Sequence, residues 1–180
     1  TSCSTLTDCP SGWECWLSDR LCHELVDPIG TDGGTICVPT GSVDEPDAAA
    51  VDADCDGVDG VVADSVFVDV ASGDDSFAGT MAKPVATIAK ALELATSQTK
   101  HAVLVATGTH MGVVTLVDGI GIHGGYDAAQ GWRRGGITIS QSTVLTATSS
   151  PVVVGTGLTK STRLSGLRVA HLRRRRTHPL

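Results

Sequence analysis

The fold is decided by how residues 65–98 are read: SVFVDVASGDDSFAGTMAKPVATIAKALELATSQ. The first six, Ser65 to Val70, are short and rich in β-branched and aromatic side chains, which predicts a strand. Gly73 to Thr80, GDDSFAGT, concentrates the residues that favour turns. From Lys83 to Gln98 the apolar residues Val85, Ile88, Ala89, Leu92 and Ala95 fall on one helical stripe. Pro84 then suits the first turn, and Lys90 and Glu93 take the wet side. A strand, a loop and an amphipathic helix are therefore expected in that order.

Downstream the texture becomes uniform. Short apolar runs alternate with Gly, Thr and Ser: Ala102–Ala106, Val113–Val117, Gly119–His123, Ile137–Ser140, Thr143–Ala147, Pro151–Gly155 and Arg163–Val169. Alternation at Val103/Val105, Ile120/Ile122 and Ile137/Ile139 predicts strands with one buried face. Aromatics make up only 3% of the chain, so the core must be filled by Val, Ile, Leu and Ala. A two-sheet sandwich usually wants larger anchors across its ~10 Å gap; a narrow stacked coil does not. Gly119 and Gly166 each precede or interrupt an alternating run, 47 residues apart in the numbering, which suits two coils of about 23 residues in a solenoid.

Upstream the character differs. Residues 1–79 hold 17 acids against Arg20 alone, whereas residues 80–180 hold 3 acids and 12 bases, and the net charge is −7. All six cysteines, Cys3, Cys9, Cys15, Cys22, Cys37 and Cys55, lie in the first third. No C-x-x-C pair occurs, so a disulfide framework in an oxidising compartment is expected over structural zinc. Residues 1–24 read as a small module in which crosslinks replace a core, with Trp13 and Trp16 as its apolar centre. Cys3–Cys15 and Cys9–Cys22 is one pairing among those that spacing leaves open, and Cys37 and Cys55 can close a loop. Residues 25–63 read as an acidic linker extended by its own charge. The chain opens without methionine or an apolar leader, as a mature form or fragment would, and no apolar run reaches the ~18 residues a membrane span needs.

Within that linker, DADCDGVDG (Asp52–Gly60) places Asp52, Asp54, Asp56 and Gly57 at positions 1, 3, 5 and 6 of a calcium loop, with Asp59 close behind. The acid expected at position 12 is replaced by Ala63, so this is no EF-hand. Two readings stay open, a weak calcium site and a solvated acidic linker. GIGIHG (Gly119–Gly124) has dinucleotide-motif spacing but lies among strands, so its glycines are expected at coil corners. GTGLTKST (Gly155–Thr162) lacks the glycine before Lys160 that a phosphate loop needs. Past the helix, Asp118 and Asp127 are the only acids, too isolated to supply a glycosidase pair. His101, His110 and His123 lack metal spacing and are expected in turns or on the surface. No catalytic residue is therefore assigned.

Residues 66–95, followed by VLVATGTHMGVVTLVDGIGIHGGYD (Val103–Asp127), resemble the N-terminal part of bacterial surface proteins of the pectin-lyase-like, right-handed parallel β-helix type. The resemblance rests on Val66–Val68, Gly73–Asp75, Gly79–Thr80, Lys83–Pro84, the helix, Val103–Val105, Gly108–Thr109 and Gly124–Tyr126, with His110 where the family usually has Tyr. DADCDGVDG resembles acidic Cys-containing repeats often taken as calcium sites. The resemblance implies a mainly β fold: a right-handed parallel β-helix over residues 64–170 with an N-terminal capping α-helix, preceded by the Cys-rich module and the acidic linker. It implies a secreted or cell-surface protein for display or adhesion, non-catalytic as given, with a polysaccharide or cell-surface glycan as ligand. The alternative is the opening part of a carbohydrate-active enzyme with its catalytic coils beyond residue 180. Residues 171–180, HLRRRRTHPL, are read as a truncated or out-of-frame end rather than a functional basic tail, so no nucleic-acid partner is expected.

Overall fold

The computed structural model describes residues 13–16, 21–24, 37–40, 43–47, 49–134 and 142–171. The chain divides into two compact units between Val38 and Pro39. In the first, β1 (Trp13–Trp16) and β2 (Leu21–Glu24) form an antiparallel hairpin with Cys15 opposite Cys22. The side chains of these two strands, and with them the Trp13/Trp16 core and the Cys3–Cys15 and Cys9–Cys22 pairings, lie outside the described residues. So do the strand expected at Ile137–Ser140 and the arginines at 173–176. Cys37 and Cys55 form a disulfide, as their loop-closing position suggested.

The second unit is mainly β, with one α-helix among the described residues. Its strands are β3 (Ser65–Val68), β4 (Ala102–Ala106), β5 (Gly108–Met111), β6 (Val114–Thr115), β7 (Gly121–Asp127), β8 (Arg133–Arg134), β9 (Thr143–Ala147), β10 (Val153–Val154), β11 (Leu164–Ser165) and β12 (Leu167–His171). They build three parallel sheets, ordered β11-β7-β4-β3, β12-β9-β5 and β10-β6. Among the described strands of this unit, β8 pairs antiparallel with β7. After β4 the chain visits the second, third and first sheets in turn, then makes the β8 excursion and repeats second, third, first, second.

Register explains why the runs are aliphatic. Val66, Val103, Ile122 and Leu164 stack as direct partners across the first sheet, and the first three join the main core with Val68, Val105, Val114 and Leu145. The alternate residues do not face water. Phe67, Leu104, Ala106 and Tyr126 form a second apolar cluster with Val58 and Trp132, with the Phe67 and Trp132 rings edge-to-face at 4.8 Å. The first sheet is thus buried on both faces, which is the usual condition of parallel sheets and corrects the one-face expectation.

Helix α1 (Ile88–Ser97) starts later than its sequence pattern suggests. Thr87 caps it by accepting from the Lys90 N–H, so Pro84 lies before the helix rather than in its first turn. Asp75 holds the cap from outside, accepting from the Ala86 and Thr87 N–H groups and the Thr87 hydroxyl. Val85 leaves the helical stripe to pair with Val68. The buried face is Ile88, Ala91, Leu92 and Ala95, with Ala91 in the place assigned to Ala89.

Two further readings change. The run Arg163–Val169 splits into β11 and β12, with Gly166 (φ +65°) at the corner, where a Cβ would meet the Gly124 carbonyl oxygen at 2.2 Å. Because Leu164 pairs directly with Ile122, one circuit of the three sheets spans that interval, not two coils of 23; the β8 excursion lengthens it. His110 and His123 are buried at 5% exposure each, not on the surface. His101 alone of the three is exposed, with its Nδ1 3.0 Å from the Asp64 carboxylate.

Burial lowers the pKa of both internal histidines. For His123 the value falls from 6.5 to about 4, with Arg134 and Arg163 adding to the effect of burial. His110 shifts the same way, against the opposing pull of the Ala106 carbonyl. A depressed folded-state pKa stabilises the fold above the unfolded value and loses that contribution as pH falls towards the folded one. Unfolding free energy measured by urea titration is therefore expected to drop between pH 6.5 and 4, by about 3 kcal/mol from His123. His123→Gln should flatten that dependence.

Candidate metal site in the acidic loop

The stretch expected to be an extended linker is, over residues 43–47 and 49–60, a folded loop on the outer face of the first sheet. Its aspartates bond to nearby backbone N–H groups, the habit that makes this residue a turn former. Asp52 accepts from the Asp56 and Gly57 N–H groups at 3.1 and 2.8 Å. Asp54 accepts from Asp56 at 3.2 Å, and Asp56 from Val58 at 2.9 Å. Cys55 takes a left-handed φ of +66° and Gly57 one of +94°, so consecutive carboxylates turn inward instead of splaying.

Asp44 closes the loop. It is 2% exposed, and its two oxygens accept from the Ala53 and Gly60 N–H groups at 3.0 and 2.7 Å. This brings Asp44, Asp52 and Asp54 together, each offering a carboxylate oxygen, with all three oxygens within 4.8 Å of one another. Oxygens around one calcium, each 2.3–2.6 Å from it, span such distances, and carboxylates are the donors hard cations prefer. The residues fit such an ion. Asp56 registers the crowding: burial raises its pKa, the Val58 N–H opposes this, and the charges of Asp54, Asp52 and Asp44 raise it further. A cation would relieve that repulsion.

Of the expected ligands, Asp52 and Asp54 are in this group and Asp56 and Asp59 are not. Asp59 is turned away to Arg134, whose Nη1 lies 2.8 Å from Asp59 Oδ2, with both side chains 1% exposed. Arg134 also donates to the Gly124 and Asp47 carbonyls and to Ser165 Oγ, and sits over the Tyr126 ring at 5.3 Å. The Tyr126 hydroxyl donates to the Asp59 carbonyl, and the Asp47 N–H to the Asp59 carboxylate at 3.1 Å. Burial raises the Asp59 pKa and Arg134 pulls against the rise.

Asp44 and Arg134 were missed as site residues. Asp44 lies outside the D-x-D-x-D-G spacing, and Arg134 is 75 positions from Asp59; no local signal marks either. The two acids past the helix have structural work. Asp118 holds the Thr159 and Lys160 N–H groups, and Asp127 caps the turn after β7 through Ala129. In GIGIHG, Gly119 does turn a corner at φ +80°, while Gly121 and Gly124 make room for neighbouring groups. No helix among the described residues is long and apolar enough to cross a membrane.

Comparison with known proteins gives no matching family model, no matching curated protein and no matching solved structure.

Two outcomes are expected. Calorimetric titration with a divalent cation should detect binding that Asp54→Asn weakens about tenfold or more without altering the metal-free fold, because Asp54 is exposed. Arg134→Leu should cost about 3–5 kcal/mol in denaturant, since it strands the Asp59 carboxylate, and the double variant with Asp59→Leu should recover part of the loss.

Proposed function

We propose that this chain is an extracellular display or adhesion protein, built on a right-handed parallel β-helix with a calcium ion in the acidic loop and a polysaccharide as its ligand. The observation that carries the solenoid is the order of the strands: successive segments visit three parallel sheets in rotation, and each ladder stacks on the one before. Such connections between parallel strands are right-handed almost without exception. The Cys37–Cys55 disulfide favours an oxidising compartment, and calcium, abundant outside cells, is the hard cation suited to a group of carboxylates.

The polysaccharide follows from surface geometry. Neighbouring rungs repeat at ~4.8 Å, so outward side chains align in rows to which a linear polymer can lie parallel. The loop and Trp132 cover the first sheet, which leaves the rows of the other two. Thr109 and Arg168, exposed on either side of the buried Val144, form one such row, and Thr115 and Val154 another. Retention on immobilised linear polysaccharides, neutral and acidic, tests the reading. At least one polymer should retain the protein, and Arg168→Ser should weaken that retention; a protein retained by none would not be this adhesin.

A second reading, the opening part of a carbohydrate-active enzyme, draws on one observation. Leu164 and Val169 share the core-facing rows of Ile122 and Leu145 yet are 42% and 58% exposed, which favours another rung above them. The coding sequence beyond codon 180 separates the readings: acid or Arg/Lys clusters at rung spacing support the enzyme, and polar repeats support the adhesin.

A further inference from the structure

Beside the acidic loop, at the open end of the first sheet's outer face, lies a cavity of about 220 Å³. Gly121 and His123 of β7 line it, together with His101, Ser161 and Arg163. His123 is 5% exposed, and its Nδ1 lies 2.7 Å from Ser165 Oγ. That hydroxyl oxygen already accepts from Arg134 Nη2 at 2.9 Å. A guanidinium only donates, which leaves the serine proton free to go to His123 Nδ1; in that tautomer the ring proton sits on Nε2.

Nε2 has no hydrogen-bond partner among the described residues. It lies 2.5 Å from where a Cβ on residue 121 would sit, so only glycine there lets the ring occupy this place. With its proton on Nε2, this buried imidazole offers a free N–H donor to the cavity.

The carboxylates nearby are committed elsewhere. Asp44 holds the Ala53 and Gly60 N–H groups, and Asp64 holds the backbone and ring nitrogens of His101. Glu45, exposed at the rim, is the one acid of the lining outside these bonds. The uncommitted groups are mostly donors: His123 Nε2–H, the exposed Arg163 guanidinium and the Ser161 hydroxyl. Arg163 stands near enough for its charge to act on the His123 ring.

We propose that this cavity binds one small oxyanion group, a carboxylate or a phosphate, between His123 Nε2–H and the Arg163 guanidinium. The site does not depend on the polysaccharide reading, since neither its residues nor its test involves the polymer.

Long-range proton–nitrogen NMR of the histidine rings in the full chain tests this in calcium-free buffer at pH 7. Sodium acetate, sodium phosphate and sodium chloride are titrated separately at matched ionic strength. The expected result is a saturable shift of the His123 ring nitrogens with acetate, phosphate or both, with a Kd on the order of 1 mM. Whichever of the two binds tighter identifies the group. Arg163→Gln, a change at an exposed residue, should weaken binding about tenfold, and Gly121→Ala should abolish it by displacing the ring. Three results overturn the proposal: no saturable shift with either oxyanion, an equal shift with chloride, or unchanged affinity in Arg163→Gln.

Discussion

A guanidinium without access to water governs the second unit. Arg134 is 1% exposed at its side chain, and such a charge is tolerable only if opposite charge and acceptors surround it. The acceptors come from four places: Gly124 in β7, Ser165 in β11, and Asp47 and Asp59 in the acidic loop. Satisfying one side chain therefore draws a distant loop onto the outer face of the parallel sheet. The loop brings Val58 with it, and the excursion that carries Arg134 brings Trp132. Together they cover Phe67, Leu104 and Tyr126, which would otherwise leave the first sheet apolar and wet on one side.

That docking gives the acidic loop two unlike ends. At one, Asp59 is neutralised within the protein. At the other, Asp44, Asp52 and Asp54 converge, and their accumulated charge is felt at Asp56. The same sequence of alternating aspartates thus supplies an internal ion pair and a place suited to an external cation. In the neighbouring cavity Asp44 and Asp64 are engaged and Glu45 stands at the exposed rim, so His123 and Arg163 point to ligands of the other sign. His123 touches both systems, because Ser165 links its ring to the Arg134 guanidinium.

Much of the fold was legible because its signals are local. Among the described residues the β-branched runs became strands near the expected positions, and the helical stripe became α1. The errors have particular causes. Thr87 with Asp75 made a stronger helix start than Pro84, and Gly166 needed a corner where the run looked continuous. The burial of His110 and His123 could not be read from one strand, since it depends on what covers the sheet. The calcium-type spacing drew attention to Asp52 and Asp54, which meet Asp44 in one acidic group, and to Asp59, which pairs with Arg134 instead.

Amino-acid order by itself determined the elements, the disulfide-compatible acidic half and the small branched core, since side-chain period, turn chemistry and volume act over a few neighbouring residues. Only the tertiary structure decided which charges meet. Asp44 joins Asp52 and Asp54, Arg134 takes Asp59, and His123 opens to a cavity because the loop packs across strands far away in the chain. Coulomb and hydrogen-bond energies fall off over a few ångströms of space, and no spacing along the sequence encodes that distance.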